Sequence, residues 1–392
     1  MLPRPSILPR TAGFLLHQLL QGFSIITLTG PRQSGKTTLA RHILEDRPYC
    51  LLEDPDVRAL AREDPRAFLA QFPDGAVLDE IQRVPELFSY LQTHVDQEAR
   101  LGRFLLTGSQ QFSLLSSLSQ SLAGRSAFVE LLPFSYDELV AAGKAPSQLD
   151  ELLLMGGYPA LYDRPIAARH WFPAYVTSYV ERDVRQLLKV QDLESFQRFV
   201  RLCAGRSGQL LNLQSLATDS GVTHNTAKAW LSVLEASYVL FLLRPHHVNF
   251  NKRLTKSPKL FFHDTGLLCW LLGLQTHGQL STHPLRGAII ETFVVSELLK
   301  MFLHRGEIPR LSFWRDSNGN EVDLLIERVG QIQPVEIKSG QTLNRDFFKG
   351  LQRWCALAGE FATTPTLIYG GSEAREHMGI RILGWSQINT FS

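Results

Sequence analysis

The sequence predicts an α/β protein, with a parallel sheet covered by helices on both faces at its start and a second α/β unit at its end. Three observations predict it. Residues 24–29 form a short β-branched run that enters a glycine loop and then a helix. Four more apolar runs alternate with helix-period stretches as far as Leu132. Beyond His283, a helical stretch precedes strand-like runs that carry acids and end in Glu-Ile-Lys at 336–338. At 392 residues the chain is too long for one ordinary core. The expected parts are a core at 1–146, a helical lid at 147–200, a helix-turn-helix unit at 201–278 and the C-terminal unit at 279–392.

Residues 11–21 read as an amphipathic helix. His17 and Gln18 interrupt the Phe14-Leu15-Leu16 run, so a signal peptide is not expected. After the 24–29 strand, Gly30-Pro31-Arg32-Gln33-Ser34-Gly35-Lys36-Thr37 matches G-x-x-x-x-G-K-[ST], the P-loop, and Thr38 continues into the helix. Gly30 and Gly35 let the backbone turn tightly, so that N–H groups point at phosphate oxygens. The helix aims its positive end at the same place. Lys36 supplies a mobile cation for the β- and γ-phosphates, and the Thr37 hydroxyl is placed to ligate Mg²⁺. ATP with Mg²⁺ is the expected ligand of residues 30–38.

A second strand is expected at 49–52 and a helix at 56–71. Gly75-Ala76-Val77-Leu78-Asp79-Glu80 is the Walker B pattern. Asp79, at the strand's carboxyl end, would hold the Mg²⁺ or its water, and Glu80 is positioned to polarise an attacking water. A helix at 85–100 leads to a strand ending in Thr107-Gly108-Ser109. The hydroxyl of Thr107 or Ser109 would sense the γ-phosphate; ordinary turn chemistry explains Thr-Gly-Ser equally well. A Ser- and Leu-rich helix at 110–122 and Gly124-Arg125 precede the fifth strand, 128–132. Arg125 enters that strand from the loop side. It is a candidate for stabilising phosphoryl charge in its own subunit or a neighbour's, or else a surface arginine.

Residues 149–200 read as helices interrupted by Gly156-Gly157 and Pro173. Tyr175, Tyr179 and Val180 share one face, with Arg182 and Arg185 opposite; the segment is a lid or a spacer. Asn212 then caps a short helix, Gly221 makes a turn, and Thr223 caps a second helix at 224–236. Strands at 238–243 and 259–263 flank a basic, turn-rich stretch. That pattern is a winged helix. Residues 201–260 carry eight Lys/Arg against two acids, which points to a polyanion or to a solvated face. If DNA is the partner, His224, Asn225 and Lys228 would enter the major groove. Lys252, Arg253, Lys256 and Lys259 would then meet phosphates. Packing or subunit contact is the competing use. Trp230 is expected in the core.

In the C-terminal unit, a helix over 289–299 precedes a strand at 313–315, an Asn318-Gly319 turn, a strand at 321–326 and a strand at 333–338. Glu336 and Lys338 lie on one face of a strand, and Asp323 on the neighbouring strand can join them. Two carboxylates and a lysine there make a metal-dependent phosphodiesterase site, with Lys338 on the attacking water and Glu291 completing the ligand set. Glu321 and Glu327 are expected in solvent. The order of helix, hairpin, acid, strand and E-x-K resembles the PD-(D/E)xK nuclease fold, restriction-endonuclease-like. Domains of that fold also serve as binding modules without cleavage.

The longer pattern resembles the AAA-type ATP-binding proteins of bacteria and archaea that carry a C-terminal domain of unknown function. The carrying residues are 30–38, Leu-Asp-Glu-Ile-Gln (78–82), Leu-Thr-Gly-Ser (106–109), Leu-Ala-Gly-Arg (122–125) and Leu-Leu-Pro-Phe-Ser (131–135). Gly156-Gly157-Tyr158-Pro159, Tyr179-Val180-Glu181-Arg182-Asp183 and Glu-Ile-Lys-Ser-Gly (336–340) continue it. The resemblance implies a five-strand P-loop NTPase sheet, with the extra strand between the P-loop and Walker B strands, and a helical lid.

Four scattered cysteines suggest neither a zinc site nor a disulfide framework, and fit a cytoplasmic protein. No apolar run reaches a membrane span. The expected function is ATP hydrolysis coupled to a nucleic acid, DNA favoured, in a chain that can form homo-oligomers. The rival is a nucleotide switch that binds a partner without cutting. A P-loop kinase fits less well, because Asp79-Glu80 favours water as the acceptor.

Overall fold

The computed structural model describes residues 7–97, 100–109, 124–180, 192–246 and 256–391. The expected 110–122 helix, Glu181-Arg182-Asp183, Arg185, Lys252, Arg253 and the side chains of Tyr179 and Val180 lie outside that set.

The first sheet holds β1 (Ile25–Thr29), β2 (Tyr49–Leu51), β3 (Ala76–Asp79), β4 (Phe104–Gly108) and β5 (Ser126–Glu130). All pairs are parallel and the order is β2-β3-β4-β1-β5. β4 therefore lies between the P-loop strand and the Walker B strand. Side-chain alternation sends Ile25, Leu78, Phe104 and Leu106 to one face, against Leu87 and Leu91. Ile26, Leu28, Val77 and Leu105 go to the other, against Leu16 and Leu39. Leu16 belongs to the helix Thr11–Leu20.

The 56–71 stretch is two helices, Pro55–Glu63 and Pro65–Ala70. Asp54 and Asp64 each cap one, and the proline that follows each occupies the first helical position. Pro173 sits inside the helix Ala168–Tyr175 instead of interrupting it. That helix runs on into a π-helical turn, Val176–Val180, a form in which the backbone pairing is already shifted.

The middle of the chain folds as the helices Leu193–Ala204, Leu213–Ser220 and His224–Ala236, followed by β6 (Leu240–Leu243) and β7 (Lys259–Phe262), an antiparallel pair. Asn212 and Thr223 cap the second and third helices, and Gly221 turns between them at φ 75°. Trp230 is core, with Phe196 and Phe199 edge-on to its ring.

The C-terminal part opens with a long helix, Arg286–His304. Its sheet comprises β8 (Leu311–Arg315), β9 (Glu321–Arg328), β10 (Gln331–Lys338), β11 (Thr366–Tyr369), β12 (Arg375–His377) and β13 (Ile380–Gly384), in the order β12-β13-β11-β10-β9-β8. β8, β9 and β10 are antiparallel neighbours, whereas β10, β11 and β13 run parallel. The long helix packs on one face and the helix Lys349–Ala358 on the other. Asp316 caps the β8–β9 turn by accepting from the N–H groups of Asn318 and Asn320, both at 2.9 Å.

Two features tie these parts together. One apolar core runs without a break from Phe134 through Phe172, Trp230, Phe261, Phe293 and Val335 to Phe391. The chain just after β6 also pairs with β8: His246 N–H donates to Phe313 O at 2.7 Å, and Phe313 N–H donates to Arg244 O at 3.2 Å. The Gly156-Gly157 pair has a packing reason. A Cβ at 156 would lie 2.3 Å from Asp264 Oδ1, and one at 157 would lie 2.4 Å from Phe134 O. Asp264 uses that room to accept from Gly157 N–H at 2.7 Å and from Leu267 N–H at 2.9 Å, capping the helix Thr265–Leu271.

Candidate functional site

β1 delivers the chain to Gly30 at φ 145°, and Gly35 (φ 95°) opens the helix Lys36–Ile43. A Cβ on Gly30 would lie 2.1 Å from Leu131 O, so only glycine lets the loop pass this close to the end of β5. Pro31, Ser34 and Lys36 are buried, Arg32, Gly35 and Thr37 half-buried, and Gln33 and Thr38 exposed at the rim. Lys36 Nζ curls back to the carbonyls of Gly30 (2.9 Å) and Pro31 (2.7 Å). The buried Ser34 hydroxyl has no hydrogen-bond partner among the described residues, which fits a loop shaped for phosphate oxygens.

Register places Asp79 beside the loop, because β3 ends level with β2 and next to β4. Three hydroxyls converge on its buried carboxylate. Thr37 donates to Oδ2 at 2.8 Å, Tyr49 donates to Oδ2 at 2.6 Å, and Thr107 donates to Oδ1. The Glu80 N–H donates to Thr107 Oγ1 at 3.4 Å. Glu80 itself is left-handed, φ 58°, a strained state for a non-glycine residue that re-aims its side chain off the strand. The Gln82 amide donates to Glu80 Oε2 and, at 3.4 Å, to Ser109 Oγ. Ser109 Oγ also reaches Glu80 Oε2 at 3.5 Å. The structure thus brings Lys36, Thr37, Asp79, Glu80, Thr107 and Ser109 together.

Arg125 is placed elsewhere. Ser126 is in register with Ile25, so Arg125 lies at the amino end of β5 and the P-loop at the other end of the same strands. The strand length, roughly 13–16 Å, separates the two. Arg125 pairs with Asp96 at 2.5 Å and does not reach phosphates in its own subunit.

The sequence reading missed Arg10. Its Nη1 donates to Ser34 O in the P-loop at 2.8 Å and its Nη2 to Leu132 O at 2.6 Å, while Nε faces Glu138 Oε1 at 3.1 Å. The Phe134 ring covers it. Burial pushes the Glu138 carboxyl up, but Arg10 outweighs that, together with the N–H groups of Ser135 and Thr11, and holds it at about 2. His304, at the end of the long helix, accepts the Leu132 N–H through Nε2 at 3.2 Å. Its proton is therefore on Nδ1, 3.6 Å from Glu138 Oε1. Glu297 and Lys300 of the same helix hold Tyr136 N–H and Phe134 O. The Leu-Leu-Pro-Phe-Ser motif is thus a coupling between the P-loop and the long helix.

At the far end of that helix, Glu291 meets Glu321 and Asp323 of β9, with ligand oxygens of all three within 4.8 Å of one another. Glu321 is half-buried here rather than solvated; it sits two residues before Asp323 on the same strand face. Glu327 is near the surface, 3.6 Å from Arg310. Asp323 accepts from Ile337 N–H at 2.8 Å and lies 3.6 Å from Lys338 Nζ, which also pairs with Glu336. Burial and then Asp323 push the Glu336 carboxyl up, and its Oε2 has no hydrogen-bond partner among the described residues. Lys259 was expected to meet DNA phosphates. It is buried instead, with Nζ 2.7 Å from Glu291 Oε1 and in contact with Glu321. His224, Asn225, Lys228 and Lys256 are exposed. Beyond β10 a cleft of about 620 Å³ is lined by Arg286, Arg375, Tyr369 and Trp385.

No helix among the described residues is long and apolar enough to cross a membrane. Residues 22–140 match a family described as "AAA domain", and 146–278 and 286–388 match two families each described as a domain of unknown function (DUF8612 and DUF4143). Uncharacterized proteins of Mycobacterium tuberculosis (Rv2008c) and Mycobacterium bovis (Mb2031c) are each 34% identical over 338 residues, 85% of this chain and 74% of theirs. Among solved structures, the Walker-type ATPase PABY2304 of Pyrococcus abyssi is 16% identical, covers 68% of this chain and 97% of its own, and has a TM-score of 0.48. The Aeropyrum pernix ORC2 protein in its ADP form is 16% identical over 59% of this chain and 85% of its own, with a TM-score of 0.34.

Proposed function

The chain belongs to one family with these mycobacterial proteins and carries an AAA-type ATPase core, and from that premise we propose that it hydrolyses ATP with Mg²⁺ and couples turnover to nucleic acid, DNA first, in the cytoplasm. One observation carries the ATP half: the hydroxyls of Thr37 and Thr107 meet the two oxygens of Asp79 at the mouth of the P-loop. Thr37 and Asp79 are the residues to hold Mg²⁺, which when bound draws charge from the phosphate oxygens. The backbone of residues 30–38 wraps the phosphates, and Lys36 leaves the Gly30 and Pro31 carbonyls for them. Glu80 takes the proton of a water attacking the γ-phosphorus; the bond to the ADP oxygen breaks, leaving ADP and phosphate. Thr107 and Ser109 orient Glu80 and sense the γ-phosphate. Arg125 can act only on a neighbour's nucleotide, in a homo-oligomer.

For the nucleic-acid half, the helices at 213–236 with β6 and β7 serve as a winged helix. The exposed His224, Asn225 and Lys228 read the major groove, and Lys256 meets a phosphate. The C-terminal sheet serves as a PD-(D/E)xK-like unit, in which Glu291, Asp323 and Glu336 hold Mg²⁺ and Lys338 orients water. The adjacent cleft gives a strand room to lie. A second reading, a nucleotide switch that binds without cutting, is favoured by the Lys259 ammonium among those acids.

The test is the ATPase rate of wild type and Glu80→Gln, with and without single-stranded, linear and branched DNA, alongside a cleavage assay in Mg²⁺ and Mn²⁺. Turnover stimulated by DNA and lost in Glu80→Gln supports the reading. Full activity in Glu80→Gln removes Glu80 as the base. Cleavage that disappears in Asp323→Ala supports the nuclease-like unit, and no cleavage on any substrate leaves the switch.

A further inference from the structure

We propose that Glu291, Glu321 and Asp323 form a divalent-cation site whose occupant in this state is the ammonium of Lys259, so that the middle of the chain keeps the C-terminal site closed. The inference rests on reading the C-terminal unit as cation-dependent, and adds Glu321 as a ligand and Lys259 as the element that excludes the metal.

Lys259 is the first residue of β7, and β7 belongs to the middle of the chain, not to the C-terminal sheet. Its side chain nevertheless ends among the acids of β9 and the long helix. Only 3% of that side chain is exposed, although lysine is among the residues least often buried. The Nζ pairs with Glu291 and Glu321, and the Phe313 ring lies 5.4 Å from it. An ammonium placed among carboxylates whose oxygens approach within 4.8 Å offsets half the charge a divalent ion would, with hydrogen bonds in place of coordination. The compensation is incomplete. Glu291, Glu321, Asp323 and Glu336 carry four carboxyl groups against Lys259, Lys338 and the Arg315 guanidinium, which lies 3.2 Å from Glu321 Oε2, and Glu336, only 7% exposed, keeps an oxygen with no hydrogen-bond partner among the described residues. A cluster with acids in excess, beside the orphaned oxygen of neighbouring Glu336, is one that a divalent ion can enter once the lysine withdraws.

Lys259 is anchored by the β6–β7 pairing and by the backbone bonds that Phe313 of β8 donates to Arg244 O and accepts from His246 N–H. Just before β6, the Tyr238 phenol donates to Thr29 Oγ1, the residue that precedes the P-loop, at 2.9 Å. A shift at the P-loop can therefore reach the hairpin that carries Lys259.

The experiment uses the full chain without nucleotide. Mn²⁺ binding is followed by electron paramagnetic resonance in wild type, Lys259→Met and the double variant Lys259→Met/Asp323→Asn. Lys259→Met should bind one Mn²⁺ about tenfold or more tightly than wild type, and the double variant should lose it. In parallel, an amine-reactive label read by mass spectrometry follows Lys259 in wild type; this needs no variant to fold. Lys259 should be protected in chelator and labelled at saturating Mn²⁺. Wild type binding Mn²⁺ as tightly as Lys259→Met, with Lys259 still protected, overturns the closure and leaves the cation site standing. Absence of Mn²⁺ binding in every form, with no gain of labelling, overturns the cation site and the closure together.

Discussion

Tyr238 and Thr29 share a hydrogen bond of 2.9 Å, donated by the phenol, that joins the last residue of the P-loop strand to the middle of the chain. Tyr238 holds a left-handed backbone, φ 57°, between the helix His224–Ala236 and β6, and is almost wholly buried. Strain of that kind persists where the surroundings over-determine it. Tyr238→Phe keeps the ring and deletes the bond. It should cost about 1 kcal/mol in urea unfolding, leave basal ATP turnover near wild type, and reduce any DNA stimulation. Unchanged stimulation would place the coupling elsewhere.

Arg10 should matter to both stability and nucleotide affinity. It holds Ser34 O in the P-loop and faces the buried Glu138. Arg10→Met strands that carboxylate, a loss of about 3–5 kcal/mol for a buried pair with one partner removed. Urea midpoints and ADP titrations check it. Arg10→Lys should recover part of the stability and little of the affinity, since one ammonium cannot span Ser34, Leu132 and Glu138 together.

Acid should loosen the joint between the core and the long helix. Burial holds the His304 imidazole at about 4, below the ordinary 6.5. As pH falls through about 6.5 the unfolded chain takes up a proton that the folded chain refuses until about 4, so stability drops across that window by about 3 kcal/mol. His263, held at about 3 by burial and Lys300, acts in the same direction. Glu138 adds a lower window: its stabilisation is full above about 4.5 and is lost as pH falls towards about 2. The groups facing His304 are Glu138, Arg10 and Lys300. His304→Gln, which can still accept the Leu132 N–H, should make the melting-temperature profile shallower between pH 6.5 and 4, leaving the slope that His263 contributes and the fall below pH 4.

Gly30→Ala should abolish nucleotide binding. The left-handed φ of 145° disfavours alanine, and the new Cβ would lie 2.1 Å from the Leu131 carbonyl oxygen. The loop would have to lift off β5, and isothermal titration with ADP should show no heat. Binding at wild-type affinity would mean that β5 yields instead.

The core's site was legible because its signals are local. The motif at 30–37 and the acids at 79 and 80 are short strings whose roles follow from one strand, one turn and one helix, and Thr107 followed from the expected place of β4. The remaining contacts lacked such signals. Arg10 reaches Ser34 and Glu138 across most of the core, and nothing near it in sequence marks it. Lys259 reads locally as one more cation in a basic stretch. Its burial depends on the pairing of Arg244 and His246 with Phe313, a tertiary event with no periodicity. Glu321 could have been found, because period-two alternation puts it on the face of Asp323. Arg125 could also have been placed, because in an all-parallel sheet a residue just before the fifth strand lies at the strands' amino ends, away from the P-loop.

The cover that Arg244 and His246 give β8 also bears on how pieces of this chain behave in isolation. β8 is the last strand of its sheet, and Phe313 offers its backbone to whatever segment comes alongside. A fragment beginning at the long helix would keep the sheet but lose that cover, with Leu311 and Phe313 on a bare rim. Bare strand rims recruit one another. Such a fragment should form intermolecular ribbons and precipitate where the whole chain stays dispersed.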